Sequence, residues 1–356
     1  MHSDKLLSDT IRFLRFPLMV GVVIVHTTLD SVIIGGDSVT QGGMFPIFDI
    51  FNHLFDGEIV RMRVPLFFFF SGFLFFFQGA FSKQLYADKL KRRVKTLLVP
   101  YLFWISALLL MIFVAQQVFP SFTSGNNLPI KEYTLIDWLK AYWHSFPMSP
   151  FWFIRDLMVV VVCSPLLYFL VRYLKIFGVL LLGVLWCMGI QTPWVGVNVT
   201  AFFFFGLGAW YALTNKNYNP ILVNYRWYLL GLYLPLLVLN TVLWSSSFAQ
   251  IALLQCLGIL LGMATLVAWV ARGIQTQTIH ANKTLSDAAF FLFCIHNPIT
   301  VFASKLWVTY LSPMTDAKMI IGYVLIPTVV SIGAVYLYLF LQRKFPHFTA
   351  IITGGR

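Results

Sequence analysis

Apolar residues along this chain fall in long continuous blocks, not in alternation. Runs of about 20 such residues are the length a bilayer-crossing helix needs. Ten are read: 12–34, 62–81, 96–118, 151–171, 176–190, 199–214, 227–245, 249–271, 287–306 and 319–342. The absence of period-two patterning argues against a membrane β-barrel. Two longer polar stretches, 31–61 and 119–150, become the main loops. Within the second, Tyr133–Trp143 (YTLIDWLKAYW) has the pattern of an interfacial amphipathic helix. Pro65 falls near the expected start of the second span, where proline is best tolerated, and Pro235 inside the seventh should kink it.

Composition sharpens this picture. Apolar residues make up 59% of the 356, charged residues 11%, and Phe occurs 36 times. A soluble domain carries about 25% charge, so this chain lacks the polar cover for a water-facing surface. A soluble enzyme, a disordered chain and a disulfide scaffold are excluded. The expected fold class is all-α: a polytopic membrane protein of about ten transmembrane helices forming a single domain over 1–356. No internal repeat is seen, which weighs against transporter folds built from duplicated halves. Cys163, Cys187, Cys256 and Cys294 all lie in apolar runs with no metal-ligand spacing, so no metal is expected. The N-terminal run lacks an A-x-A-like cleavage site and is expected to stay as a helix.

The net charge is +12. Assigning loops alternately to two sides places 18 basic and 4 acidic residues on one side, a net +14, against −2 on the other. The positive-inside rule makes the first side cytoplasmic, with both termini inside. A dense part of that charge is Lys89, Lys91, Arg92, Arg93 and Lys95, in KLKRRVKTLLVPYLFW. It anchors topology or meets anionic lipid; it also suits a phosphate-bearing cytosolic ligand.

Ionisable residues inside apolar spans are functional candidates by default. The first span holds Arg15, His26 and Asp30. Arg15 and His26 are eleven residues apart, which returns to nearly the same helix face about 16 Å further along. His26 and Asp30 are spaced i, i+4, so a carboxylate one turn away would orient the imidazole as a general base requires. A packing hydrogen bond would explain His26 alone, and an interfacial cap Asp30. In RMRVPLFFFFSGFLFF, Arg61 and Arg63 mark the outer end of the second span, and Ser71-Gly72 interrupts a Phe wall where another backbone can approach. The fourth span opens FWFIRDL, with Trp152 and Arg155 on one face and Asp156 adjacent. The ninth holds His296 and Asn297 before Pro298, in FFLFCIHNPIT.

With these segments in hand, the chain resembles the membrane acyltransferase-3 family of bacterial carbohydrate O-acyltransferases. Arg15 and His26 are similar to its Arg-x10-His pattern, RVPLFFFFSGFLF to its second-helix signature, FWFIRDL to its Trp-Phe-x-x-Arg/Lys-x-Leu segment, and FFLFCIHNPI to a late Tyr-x-x-x-His segment. One departure stands out. The family commonly shows Arg-x-x-Arg shortly before the Leu-x-x-Pro of the third helix. Counted back from Pro100 those positions are Arg93 and Thr96; counted by charge they are Arg92 and Lys95.

The resemblance implies a membrane-only O-acyltransferase, multi-pass in the cell's inner (plasma) membrane. It would move an acetyl or other short acyl group from cytosolic acyl-CoA to a hydroxyl of a cell-surface or lipid-linked carbohydrate. The chemistry needs a base, stabilisation of an oxyanion and a positive site for the CoA phosphates. His26 is the expected base, with Asp30 orienting it. Arg15, Arg92, Arg93 and Lys95 are expected to hold acetyl-CoA. Arg63, Ser71, Trp152, Arg155, His296 and Asn297 are expected to line the acceptor or acyl cavity. The expected partners are acyl-CoA, a carbohydrate or glycolipid acceptor and membrane lipid, with no nucleic acid. A secondary transporter or exporter of a small polar or glycan substrate is the rival reading. It accounts for the helices and buried charges but not for the inner basic cluster beside an Arg-x10-His helix.

Overall fold

The computed structural model describes residues 3–34, 37–77, 82–119, 128–145, 149–214, 219–244 and 252–355. The far ends of the expected spans 62–81 and 227–245, the start of 249–271, and the middle of the 119–150 loop lie outside the described residues. The described residues are predominantly helical. Among the described residues the one strand pair is two residues long on each side, Ile33–Ile34 (β1) against Asp37–Ser38 (β2). The all-helical, multi-pass membrane reading therefore stands.

The helices in chain order are α1 (Ser3–Val25), α2 (Pro46–Phe76), α3 (Lys83–Val118), α4 (Leu135–Trp143), α5 (Trp152–Val162), α6 (Ser164–Leu174), α7 (Ile176–Cys187), α8 (Val199–Leu213), α9 (Asn219–Asn224), α10 (Arg226–Leu243), α11 (Ala252–Gln275), α12 (Lys283–Leu311), α13 (Asp316–Lys344) and α14 (Pro346–Thr353). Among the described residues six are fit by length and apolarity to cross a membrane: α2, α3, α10, α11, α12 and α13. A seventh forms if α5 and α6, bent by 59° at their junction, count as one crossing. The bend falls at Ser164-Pro165, where proline removes a backbone donor. The other expected spans rest on α1, whose first turns carry several charges, and on α7 and α8, which at 12 and 15 residues are short for a crossing. Large apolar side chains such as Leu110, Val242 and Val329 are more than half exposed, as lipid-facing residues are.

Two expectations are corrected. Helix α1 ends at Val25, not near 34. The Thr27 hydroxyl donates back to Val23 O (2.9 Å) and Thr27 N–H turns to Ile24 O (2.9 Å), so the β-branched pair Thr27-Thr28 competes with helix continuation. Thr40 then fixes the following turn: its hydroxyl donates to Leu29 O (2.6 Å) and accepts from Val32 N–H (3.0 Å). The expected 31–61 loop is also largely helical, since α2 begins at Pro46. Its apolar positions Phe48, Phe51, Phe55 and Ile59 recur at helical spacing. Pro65 consequently lies deep inside α2. It follows a π stretch (His53–Ile59) and a 3₁₀ turn (Val60–Met62), irregular backbone that accommodates a missing donor.

Contacts sort the chain into two compact units, one of residues 1–67 and 215–339, the other of 68–214 and 340–356. In the first, α1 packs along α12 and α11, and α10 along α11. In the second, α8 packs against α7, α6 and α5, and α14 against α3.

An amphipathic helix forms in Tyr133–Trp143 as expected. Thr134 and Asp137 make a reciprocal capping box at the start of α4, which leaves Leu135, Ile136, Leu139 and Trp143 on an exposed apolar face. The Thr134 hydroxyl and backbone N–H hold the Asp137 carboxyl below the usual carboxylate range. That support is complete above the ordinary carboxylate pKa and is lost as pH falls through the lowered one.

The break in the Phe wall is a close helix crossing. A Cβ on Gly72 would lie 2.1 Å from Phe205 O, and one on Gly208 would lie 2.1 Å from Phe69 O. Each glycine admits the other helix's backbone. Gly72→Ala and Gly208→Ala should each lower stability by about 1–3 kcal/mol, the cost of overpacking. Thermal unfolding in detergent measures this; Gly231→Ala, at a position with open space around it, is the control.

Candidate active site

The clearest constellation in the first unit is a pair of histidines. His296 is fully buried on α12, and its ring centroid lies 5.2 Å from that of His26, one residue past α1. His296 Nδ1 lies 2.8 Å from Phe293 O and 3.3 Å from Leu292 O. A carbonyl only accepts, so Nδ1 carries the proton. Nε2 is then the nitrogen that bears the lone pair whenever the ring is neutral. That Nε2 is buried with no hydrogen-bond partner among the described residues. The neighbouring helix is already perturbed: Pro298 lacks an N–H, and the Thr300 hydroxyl returns to His296 O (3.1 Å) and Asn297 O (3.0 Å). Asn297 is half-buried beside it.

Two further expected residues join this pair. Arg63 on α2 is close enough for its charge to act on the His26 ring, and its NH1 donates to Val60 O (2.9 Å). A Cβ on Gly21 of α1 would meet Val60 at 3.3 Å and Arg63 at 3.9 Å, so Gly21 is the slot where they seat. Arg15 is half-buried, and its nearest influential carboxylate is Asp287 at the start of α12. The pairings 15 with 287 and 26 with 296 ascend together, so α1 and α12 run in the same direction.

The i, i+4 stacking of His26 with Asp30 does not form, because α1 has ended. Asp30 instead receives a hydrogen bond from Asn52 Nδ2 (3.3 Å). It belongs to a polar network that spacing did not disclose. Glu58, 7% exposed in the π stretch of α2, accepts from Asn240 Nδ2 (3.1 Å) and lies 3.7 Å from His53 Nε2. His53 stacks on Trp244. Arg61, expected at the outer end of the second span, donates to Gln255 Oε1 (3.2 Å). The Tyr233 and Tyr323 hydroxyls are buried without partners among the described residues. Asn52, His53, Glu58 and Arg61 fell inside what was read as a loop, so their helical faces went unseen.

Arg155 and Trp152 belong to the second unit. Arg155 donates from Nε (2.9 Å) and NH2 (2.7 Å) to Asp156 Oδ1, and from NH1 to Trp143 O (3.2 Å). Asp156 Oδ2 accepts from Asn198 Nδ2 (3.1 Å), and Asn198 caps α8 through Thr200 N–H (2.9 Å). Arg155 borders a cavity of about 480 Å³. Trp152 turns an edge to Phe153 and is not part of that lining. Ser71 stands beside the Gly72 crossing.

The basic patch is in the second unit. Arg92 and Lys95 are exposed and Arg93 half-buried. Lys89 is committed elsewhere: its ammonium donates to Phe75 O and sits 5.0 Å from the Phe75 ring. Residues Val94–Leu98 form a π stretch, which shifts the helical register there. Thr96, standing at one of the two positions where the family shows arginine, lies beneath the C-terminal turn. A Cβ on Gly354 (φ +71°) would fall 2.5 Å from Thr96 O.

Comparison with known proteins places the chain in a class. A family described as an acyltransferase domain matches residues 9–341. The chain therefore belongs to the membrane acyltransferase-3 family, with Arg15, His26, Arg155 and His296 all inside the matched region. It is also similar to the succinoglycan biosynthesis protein ExoH of Rhizobium meliloti (strain 1021), at 27% identity over 180 residues. That is 49% of this chain and 46% of ExoH, so the match spans about half of that relative. No solved structure gives a significant match.

The Glu58 network carries a direct test. Asn240→Leu should cost about 1–3 kcal/mol by removing the amide hydrogen bond to a buried carboxylate, read as a lowered thermal midpoint. Adding Glu58→Met should recover part of the loss, because both polar partners are then gone.

Proposed function

We propose that this protein is an integral membrane O-acyltransferase. It moves an acetyl or other short acyl group from acyl-CoA, drawn from the cytoplasm, to a hydroxyl of a cell-surface or lipid-linked carbohydrate. The observation that carries the reading is the His26–His296 pair, one ring half-buried and the other holding a buried Nε2 with no partner among the described residues. Family membership supplies the reaction class, and the likeness to a protein named for succinoglycan biosynthesis favours a carbohydrate acceptor.

In this proposal ten segments cross the inner membrane with both termini cytoplasmic. The charge asymmetry and the shared direction of α1 and α12, the expected first and ninth spans, support that count. His26 removes the proton of the acceptor hydroxyl as its oxygen attacks the thioester carbonyl. His296 holds its Nε2 lone pair toward the proton path. The carbonyl oxygen gains negative charge, and Arg63, whose charge acts on the His26 ring, stabilises it. The C–S bond then breaks. CoA leaves as a thiolate, which recovers the proton. Arg92, Arg93 and Lys95 of the basic patch are the proposed holders of the donor's phosphates.

The test is mass spectrometry of the host's surface glycans. Cells with the intact gene should show the mass increment of one acyl group on a sugar unit. His26→Ala should remove it, since loss of a general base costs about 10²–10⁴-fold in rate. A normally folded, membrane-inserted His26→Ala protein that still supports full glycan acylation would refute the assignment.

A further inference from the structure

The second unit contains a cavity that the transfer chemistry does not use. It opens between the C-terminal end of α7 and the N-terminal end of α8 and measures about 480 Å³. That lies within the range of small-ligand pockets. Its floor is a continuous chain of hydrogen bonds: Trp143 O receives Arg155, Arg155 donates twice to Asp156, Asn198 donates to Asp156, and Asn198 accepts from Thr200.

The donor and acceptor inventory of that floor is specific. A guanidinium has five N–H groups, and three here are committed, which leaves two. Asp156 Oδ1 is filled by Arg155, while Oδ2 holds one bond and keeps capacity for another. The two formal charges cancel. The site therefore offers adjacent donors and acceptors without net charge. Adjacent hydroxyls of a sugar ring both donate and accept, and match this set; a carboxylate or phosphate meets Asp156 unfavourably. Gln191, exposed at the lining, adds an amide, and the indole of Trp186 adds an aromatic surface, itself stacked on Phe203.

The loop is built to close on this floor. Gly196 takes φ +95°, and a Cβ there would lie 3.6 Å from Arg155 Nε and 3.3 Å from the Trp143 ring. The Thr192 hydroxyl ties the loop by donating to Val197 O and, at 3.3 Å, to Trp194 O.

We infer that this cavity is a binding subsite for a neutral sugar segment, held by the Arg155–Asp156–Asn198 floor with Gln191 and Trp186. The inference rests on the carbohydrate-acceptor reading above and adds where the glycan is gripped and of what charge class it is. In the proposed topology the cavity faces outward, where a surface glycan is met. Trp143 O ties it to the end of the interfacial helix α4.

The experiment is a titration of the purified full chain in nanodiscs, without acyl-CoA. The probes are neutral pentasaccharides of glucose, galactose and mannose, with a pentagalacturonate as the anionic comparison. At least one neutral probe should bind, with a fluorescence change that Trp186→Phe reduces. Pentagalacturonate should bind at least tenfold more weakly. Gln191→Ala should weaken neutral binding about three- to tenfold, the worth of one hydrogen bond. Gln191→Trp, which fills the mouth, should abolish it. Failure of every neutral probe, equal binding of the anion, or binding unchanged in Gln191→Trp would overturn the subsite. Acyl transfer is followed separately on the host glycan with labelled acetyl-CoA. Transfer without sugar binding here would refute the subsite alone, and sugar binding without any transfer would refute the enzyme reading alone.

Discussion

The parallel pairing of α1 with α12 is the constraint on which the rest of the site depends. Arg15 meets the field of Asp287 near one end, and eleven residues on His26 comes against His296. Between Arg15 and Val25 the helix advances about 15 Å, whereas α12 runs about 22 Å beyond His296. α1 therefore stops partway along its neighbour. His26 stands at a broken helix end beside a continuous one. Irregular backbone at such depth is tolerated where it is buried in protein or lines a cavity. Here side chains satisfy it, through Thr27 and Thr40. An imidazole in that position is held by its neighbours while its ring stays reachable, which a mid-helix histidine facing lipid would not be.

The second device is irregular helix. α2 passes through a π stretch and a 3₁₀ turn before its regular α segment, and α3 has its own π stretch after the basic cluster. In α2 the irregular turns carry His53, Asp56, Glu58, Arg61 and, at their end, Arg63 into the first unit. Ion pairing is loose there, with Arg63 NH1 4.0 Å from Asp56 Oδ1, and neutral amides do much of the satisfying: Asn52 for Asp30, Asn240 for Glu58, Gln255 for Arg61. Buried charge held by amides keeps its sign available to a polar ligand, which a closed salt bridge does not. The Arg155–Asp156 pair of the second unit is the contrast. It is tightly closed and presents no net charge.

Much of this was legible from residue order. Continuous apolar blocks fixed the helical class, the Ser71-Gly72 gap marked a close backbone approach, and YTLIDWLKAYW formed a capped amphipathic helix. What escaped has physical causes. The end of α1 is set by hydroxyl-to-carbonyl bonds from Thr27 and by Thr40 across the turn, which an apolar run of VGVVIV does not announce. The helix from Pro46 was hidden because Asp49, Asp56 and Glu58 lower the hydropathy of a segment whose apolar residues still recur at helical spacing. The π stretches shift angular register, so the facing of Arg92, Lys95 and Thr96 is not given by α-helical counting. His26 and His296 were each visible as buried ionisable residues; that they meet depends on helix pairing, which spacing within one helix does not encode.

The most direct measurement of the central claim is a double-mutant cycle on transfer from labelled acetyl-CoA to the host glycan, in reconstituted proteoliposomes. The variants are His26→Ala, His296→Ala and the double variant, each verified as folded by thermal unfolding. If the two imidazoles act as one centre, each single change lowers kcat/KM by orders of magnitude and the double is little worse than His26→Ala alone. Losses that simply multiply, or a His296→Ala enzyme as active as the unaltered protein, would contradict a shared centre at the break in α1.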